Sequence, residues 1–126
     1  MTANEIFDLA AGWMAQTRAD SDDLAPFVPG MLSVLLAEAL PYENALRRFE
    51  GREELKEAPR VAAGTMEEEI DYHDALLRTA LPFGLAADFY RDDENYPVMD
   101  DFRTKFVTAL EDGVRVTGSE AVRDVY

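Results

Sequence analysis

The sequence predicts an all-α protein: a small bundle of four to five helices with one long connector and an extended C-terminal tail. Three observations support this fold class. Apolar residues recur at helical spacing in four segments, proline and glycine mark the turns between segments, and 126 residues is the usual size of one domain. We therefore interpret residues 1–126 as a single helical domain, in which residues 52–67 form the connector and residues 114–126 a tail or arm.

The first helix is predicted to run from about Ala3 to Thr17. Thr2 and Glu5 fit a capping box, in which the threonine hydroxyl and the glutamate carboxylate each bind a backbone amide. A helical apolar stripe follows, made of Ile6, Phe7, Ala10, Trp13 and Met14. A ligand pocket around Trp13, Phe7 and Met14 is an alternative, but side chains at this spacing usually belong to the core.

The second helical region begins with two prolines, Pro26 and Pro29, which suit a first turn because their missing N–H groups have no partner there. Pro41 is expected to kink or end the helix, since its ring clashes with the carbonyl four residues back. A shorter continuation is expected to stop at Gly51. The apolar positions of this region are Phe27, Val28, Met31, Leu32, Leu35, Leu36, Ala39 and Leu40.

Residues 52–67 carry only scattered apolar positions, together with Pro59 and Gly64. This pattern predicts a long connector with room for one short helical turn. Connectors of this length in compact domains are usually functional or mobile.

A third helix is predicted from about residues 69–71 to Arg91. A bend is expected at Arg78–Pro82, because proline removes the normal partner of the Arg78 carbonyl. Gly84, on the same turn, allows another backbone to approach closely. The apolar stripe of this helix is Tyr72, Leu76, Leu77, Ala80, Leu81, Leu85 and Phe89.

A fourth helix is predicted to start near Pro97 and to end at Gly113. Its apolar positions are Met99, Phe102, Phe106, Ala109 and Leu110. The remaining residues, Val114–Tyr126, alternate weakly between apolar and polar side chains. This alternation predicts a strand-like tail or a flexible arm.

Composition limits the classes of function. The chain has 26 acidic and 12 basic residues, a net charge of −14, and no cysteine. Such a chain repels phosphates instead of neutralising them, and it has no disulfide or thiolate metal site. It shows no signal peptide and no uncharged run long enough to cross a bilayer. We therefore expect an intracellular, soluble protein that binds neither nucleic acid nor a membrane.

Groups with catalytic or metal-binding chemistry are few. His73 is the only histidine. Helical di-iron sites use a Glu-x-x-His pair from each of two helices, which one histidine cannot supply. Paired carboxylates such as Asp92 and Asp93 fall at predicted turns, where solvation explains them. We expect no catalytic residue, no metal and no cofactor, although a small helical enzyme that uses buried carboxylates remains an alternative.

Three segments resemble the small head–tail connector (adaptor) proteins of tailed bacteriophages. The first combines the acidic lead-in Glu68-Glu-Ile-Asp-Tyr-His-Asp74, the phrase Leu81-Pro-Phe-Gly-Leu-Ala86, the acidic turn at Asp92 and a final amphipathic helix. The second is Ala39-Leu-Pro-Tyr-Glu-Asn-Ala-Leu-Arg47, after the second helix. The third is the ending Val122-Arg-Asp-Val-Tyr126.

The resemblance implies a helical subunit without enzymatic activity or cofactor. Such subunits form a homo-oligomeric ring of about twelve copies, and a ring requires two different complementary faces on each copy. The implied partners are the portal protein and the next head-completion or tail protein. The implied location is the virion, and the host cytoplasm before assembly. DNA passes through the channel, and an acidic wall does not bind it.

The third helix and the connector, the one basic cluster, and the tail are the expected contacts with other subunits or with the portal. The cluster of Arg47, Arg48 and Arg52 either is a solvated face with local salt bridges to Glu43, Glu50 and Glu53 or docks on an acidic patch of a neighbouring copy. The complete set of expected interface residues is Leu55, Val61, Met66, Ile70, Arg47, Arg48, Val114, Val116, Val122, Val125 and Tyr126. The competing hypothesis is an acidic helical binding module that mimics DNA or inhibits a basic host protein.

Overall fold

The computed structural model describes the backbone of residues 1–125 and the side chains of residues 1–116, and it confirms the all-α fold class. This part of the chain contains five α-helices: α1 (Ala3–Trp13), α2 (Val28–Phe49), α3 (Asp74–Leu77), α4 (Leu81–Asp92) and α5 (Tyr96–Val125). Single 3₁₀ turns cover Ala25–Phe27 and Ala63–Thr65.

The core lies where α1, α2 and α5 surround α4. Gly84 of α4 marks the closest approach: a Cβ there would lie 2.8 Å from Leu35 Cδ2 and 2.9 Å from Phe106 Cδ2. The neighbours that approach Gly84 are thus side chains of α2 and α5. The largest fully buried side chains are Phe89, Phe106, Ile6, Leu32, Leu35, Leu36, Leu46, Leu76, Leu77, Leu81, Leu85 and Leu110.

The first helix begins as predicted, with a capping box formed by Thr2 and Glu5. It ends at Trp13, four residues before the predicted end at Thr17. Ala15 adopts a left-handed conformation with φ of 55°, and the next amide bonds to the carbonyl five residues back at 2.9 Å. This pattern ends a helix, although glycine usually occupies the left-handed position.

Pro41 does not end the second helix, since α2 continues through it for 22 residues in all. Proline leaves the carbonyl of Ala37 without a helical partner, and Ala37 is exposed, so water can reach it. The helix ends at Phe49, and Gly51 follows with φ of 70°. The predicted stop at Gly51 is therefore confirmed.

Within the described residues, the run Ala25–Phe49 is the one segment long and apolar enough to cross a membrane by length and composition alone. Its best 18-residue window has a mean hydropathy of 1.3, and 28% of that window is buried. Core helices of globular domains pass the same test, and α2 contributes eight buried residues to this protein.

The single third helix predicted from residues 69–71 to Arg91 is wrong, because the structure has two helices there. The chain leaves the α-helix between Leu77 and Leu81, at the position of the predicted bend, and Pro82 lies in the first turn of α4. Residues 69–73, where this helix was predicted to begin, are not helical either. The amide of His73 binds a side chain of α2 instead of a helical carbonyl.

The predicted helix end at Gly113 is also wrong, because α5 continues to Val125. A strand-like conformation is therefore incorrect for residues 114–125. Gly113 lies against α3: a Cβ there would be 3.0 Å from Leu76 Cδ2. The glycine thus permits helix packing, at a helix-propensity cost of about 1 kcal/mol. Tyr126 lies outside the described residues.

Candidate functional site

The connector residues expected at an interface face their own chain. Leu55, Val61, Met66 and Ile70 are each partly buried and pack against the core. The connector runs without regular structure from α2 to α3, apart from one 3₁₀ turn. Its apolar side chains therefore anchor it to the bundle.

Two polar side chains of α2 hold the connector by its backbone. The amide of Asn44 donates to the Leu55 carbonyl at 3.0 Å, and its oxygen accepts the Leu55 N–H at 2.8 Å. The hydroxyl of Ser33 accepts the Val61 N–H at 2.9 Å and donates to the Pro29 carbonyl at 2.8 Å. These side chains satisfy backbone groups that a neighbouring strand would otherwise pair.

Arg47, expected on an interface, is only 6% exposed. Its Nε donates to Glu43 Oε2 at 2.7 Å, and its Nη2 donates to the Asp71 carbonyl at 3.0 Å. Burial works to lower the pKa of Arg47, but the hydrogen bonds to Glu43 and Asp71 outweigh it and raise that pKa. The guanidinium is thus bound within its own chain. Arg48 remains exposed and pairs with Glu54.

Glu43 is a fully buried carboxylate, with 0% of its surface exposed. Besides Arg47, it accepts the backbone N–H of His73 at 2.7 Å. Nδ1 of the His73 ring lies 2.9 Å from Glu43 Oε1, and Nε2 lies 2.6 Å from Glu50 Oε1. Both ring nitrogens face carboxylates, so each of these hydrogen bonds requires a hydrogen on the ring or on the facing carboxylate.

Tyr72 completes the attachment of the connector to α2. Its hydroxyl donates to the Leu36 carbonyl at 2.7 Å, and the residue is 7% exposed. Burial, and then the nearby charge of Glu43, raises the pKa of the Tyr72 phenol. The phenol therefore stays neutral and keeps its hydrogen bond.

A buried carboxylate is what the helical-enzyme hypothesis requires, but the surroundings of Glu43 are structural. Its oxygens are bound by Arg47 and His73, and it lines none of the four surface grooves described for this chain. Among residues 1–116, no group of three or more acidic or histidine side chains is placed to hold a metal ion. Glu43 therefore binds the connector to α2.

A first groove, of about 670 Å³, lies between α1 and the turn before α2. Arg18 and Asp8 line it and pair at 3.0 Å. A second groove of about 470 Å³ lies between the first half of α2, the end of α4 and the start of α5. Burial raises the pKa of Asp88 in this groove, and Arg91, at 3.0 Å, opposes the shift. Both grooves are open and contain paired charges.

Trp13 is not a core residue, and the expectation that it packs inside is wrong: it is 52% exposed. Its ring lies 4.9 Å from the ring of Phe83 and 6.2 Å from that of Phe102. Tyr90 stacks on Phe102 at 5.6 Å, and Lys105 Nζ lies 5.0 Å from the Phe102 centroid. Phe7, by contrast, is buried. A half-exposed aromatic cluster thus joins α1, α4 and α5.

Exposed aromatic side chains occur at both ends of α2. Phe27, just before the helix, is 61% exposed, and Phe49, its last residue, is 51% exposed. Tyr96, the first residue of α5, is 54% exposed. The second groove places the start of α2 beside the end of α4 and the start of α5. Phe27 and Tyr96 therefore lie at the same end of the bundle, and Phe49 lies at the other.

The two ends of the bundle differ in charge. From Asp88 to Asp101 the chain has six acids and one arginine, a net charge of −5. From Arg48 to Arg60, leaving out the buried and internally paired Arg47, it has four cations and four glutamates, a net charge of zero. We call the first the acidic end, formed by exposed Phe27, Asp92, Asp93, Glu94 and Tyr96. The mixed-charge end is formed by exposed Arg48, Phe49, Arg52 and Lys56.

Of the tail residues expected at an interface, Val114 and Val116 have described side chains. Val114 packs against the core, and Val116 is 53% exposed. The side chains of Val122 and Val125, and all of Tyr126, lie outside the described residues.

The sequence interpretation missed the two ends of α2. It listed Phe27 with the other apolar positions of the region, although Phe27, Met31 and Val34 lie on a different helical face from the buried Val28, Leu32 and Leu35. A helix that is apolar on more than one face has more apolar surface than one core contact requires. That excess was the signal in the sequence.

No protein-family model, curated protein or solved structure matches this chain. The resemblance to head–tail connector proteins therefore rests on the three quoted segments. The function it implies stays a prediction.

Proposed function

We propose that this protein is a non-enzymatic assembly subunit of the phage head–tail connector type. Its copies form a ring that docks on a portal protein and extends the channel for DNA. The ring belongs to the virion, and the subunits occupy the host cytoplasm before assembly. The next head-completion or tail protein is the further partner.

The exposed aromatic residues at the two ends of the bundle carry this proposal. Phe27, Phe49 and Tyr96 each expose more than half of their surface, whereas aromatic side chains are enriched where proteins meet. They lie on a chain with a net charge of −14. A strongly acidic surface disfavours DNA binding, as the wall of a DNA channel requires.

The test is the oligomeric state of the purified protein, alone and mixed with a portal ring, followed by mass photometry and electron microscopy. We expect rings, either at high protein concentration or on the portal. A protein that stays monomeric at every concentration and leaves the portal ring bare would contradict the proposal.

The acidic end also favours a second candidate, an acidic module that captures a basic protein. Asp92, Asp93 and Glu94 are exposed and adjacent. This candidate predicts a one-to-one complex with a basic DNA-binding protein, disrupted by salt, and no ring. The same mass measurements distinguish the two, because a binding module does not assemble with copies of itself.

A further inference from the structure

We infer that copies of this chain associate head to tail, with the acidic end of one bundle docked on the mixed-charge end of the next. The inference rests on the proposed function and identifies which two faces meet. Each face combines exposed aromatic surface with charge: Phe27 and Tyr96 with carboxylates at one end, and Phe49 with Arg48 and Arg52 at the other.

The two faces are far enough apart for one subunit to hold two neighbours. The 22 residues of α2 span about 33 Å at the rise of an α-helix. Phe27 precedes the first turn, and Phe49 closes the last. Different faces at opposite ends form a heterologous contact, which closes into a ring when the rotation between neighbours permits it.

Charge favours this pairing over contact between two acidic ends. Two acidic ends in contact would bring carboxylates of like charge together, with a net charge of −5 on each segment, and such contacts are repulsive. The mixed-charge end has a net charge of zero over Arg48–Arg60. Arg48 and Arg52 pair with Glu54 and Glu50 at the surface, so both can exchange partners without leaving water.

Aromatic and arginine side chains supply most of the binding energy at many interfaces. Phe27 and Phe49 are therefore the anchors of the two faces, and the carboxylates and guanidiniums select the partner and the orientation. The mixed-charge end also includes Lys56, which is exposed at the start of the connector.

The experiment uses two variants of the full chain, Phe27→Ser and Phe49→Ser. Each should raise the concentration for half-maximal assembly about tenfold or more, as expected for loss of an interface anchor. An equal mixture of the two should form dimers and stop there, because only one of the two possible junctions between the variants retains both anchors. The readout is mass photometry, alone and with portal ring, at a concentration where the wild-type chain assembles.

A matched control is Val107→Ser on α5, which is 37% exposed and away from both ends. It should assemble like the wild-type chain. Far-UV circular dichroism of each variant checks that α2 is intact. If Val107→Ser impairs assembly as much as Phe27→Ser does, the two ends are not special and the inference is overturned.

Charge reversal gives a second, independent test. Asp92→Arg with Asp93→Arg, and separately Arg48→Glu with Arg52→Glu, should each weaken assembly. Mixing these two chains should restore oligomers larger than a dimer, because both junctions then join opposite charges. Wild-type assembly that none of these changes affects would overturn the inference while leaving the proposed function intact. A wild-type chain that never assembles would instead remove the proposed function.

Discussion

The inner side of α2 and the side that faces the connector stabilise the fold by different means. On the inner side, Leu32, Leu35 and Leu36 are buried in the hydrophobic core. On the connector side, Glu43 and Asn44 bind backbone groups of a segment without regular structure. One helix therefore uses nonpolar burial for one neighbour and hydrogen bonds for another.

The two sides should respond differently to mutation. The inner side is stabilised by close packing, so a larger side chain there should lower the free energy of unfolding. The connector side depends on individual hydrogen bonds, so removal of one side chain should release a segment and leave the bundle folded. Two measurements distinguish these effects: the free energy of global unfolding reports damage to the core, and hydrogen exchange of the connector amides reports local release of the connector.

Glu43→Ala should have the largest effect. It leaves the buried Arg47 without its main partner, and breaking a buried ion pair costs roughly 3–5 kcal/mol. We expect the lower end, about 3 kcal/mol, because Arg47 also binds Asp71 at the surface. Urea unfolding measures the loss of stability, and hydrogen exchange should show faster exchange of the His73 amide.

A matched control on the same helix is Glu38→Ala. Glu38 pairs with Arg103 near the surface, so its removal should cost about 0.5 kcal/mol or less. Equal losses from the two variants would show that the Glu43 network does not hold the connector.

Gly84→Val should be the next largest change and should damage the inner side. The new Cβ would meet Leu35 and Phe106 at less than 3.0 Å, and such overpacking costs roughly 2–3 kcal/mol. The control is Gly12→Val in α1, where an added Cβ would meet nothing within 4 Å apart from its chain neighbours and the backbone of its own helix. Urea unfolding should show a loss for Gly84→Val alone, and a tolerated valine there would disprove the close contact.

Asn44→Ala should cost about 1–2 kcal/mol, since it removes two hydrogen bonds to the backbone of Leu55. Asn44→Asp is the graded control, because a carboxylate still accepts the Leu55 N–H but donates nothing to the carbonyl. Hydrogen exchange should show Leu55 most affected in the alanine variant and less affected in the aspartate variant. If the Leu55 amide exchanges at the wild-type rate in both variants, the Asn44 side chain does not hold Leu55.

The inner side and the connector side of α2 also differ in how well the sequence predicted them. Apolar spacing identified the core face of α2 and the residues of α4, because burial leaves a periodic pattern. The hydrogen bonds from Ser33 and Asn44 to the connector left no such pattern. Their partners are backbone groups, and every residue has a backbone, so the sequence does not show which residue is bound. A local salt bridge from the arginine cluster to Glu43 was one of the two sequence alternatives, and the structure shows it for Arg47. The burial of Arg47 was missed, because its second partner, Asp71, is distant in the sequence.

Helix ends show the same limit. Gly51 made the end of α2 predictable, because glycine readily adopts a positive φ. The ends of α1 and α4 use Ala15 and Glu94 in the same left-handed conformation, with φ of 55° and 56°. Neither residue type signals a helix end, so α1 was predicted too long. Gly113 gave the opposite error: it was predicted to end the helix, but α5 continues through it, and the glycine permits close packing against Leu76.

Ala15→Gly should have the smallest effect, and in the opposite direction. Relieving a left-handed alanine should stabilise the fold by about 0.5–1 kcal/mol, because glycine has no Cβ to clash with the carbonyl. Ala15 lies outside both sides of α2, so thermal unfolding should shift upward while exchange at Leu55 and His73 stays as in the wild-type chain. If Ala15→Gly instead speeds exchange at those connector amides, the connector is coupled to the end of α1, and the two sides of α2 do not act separately.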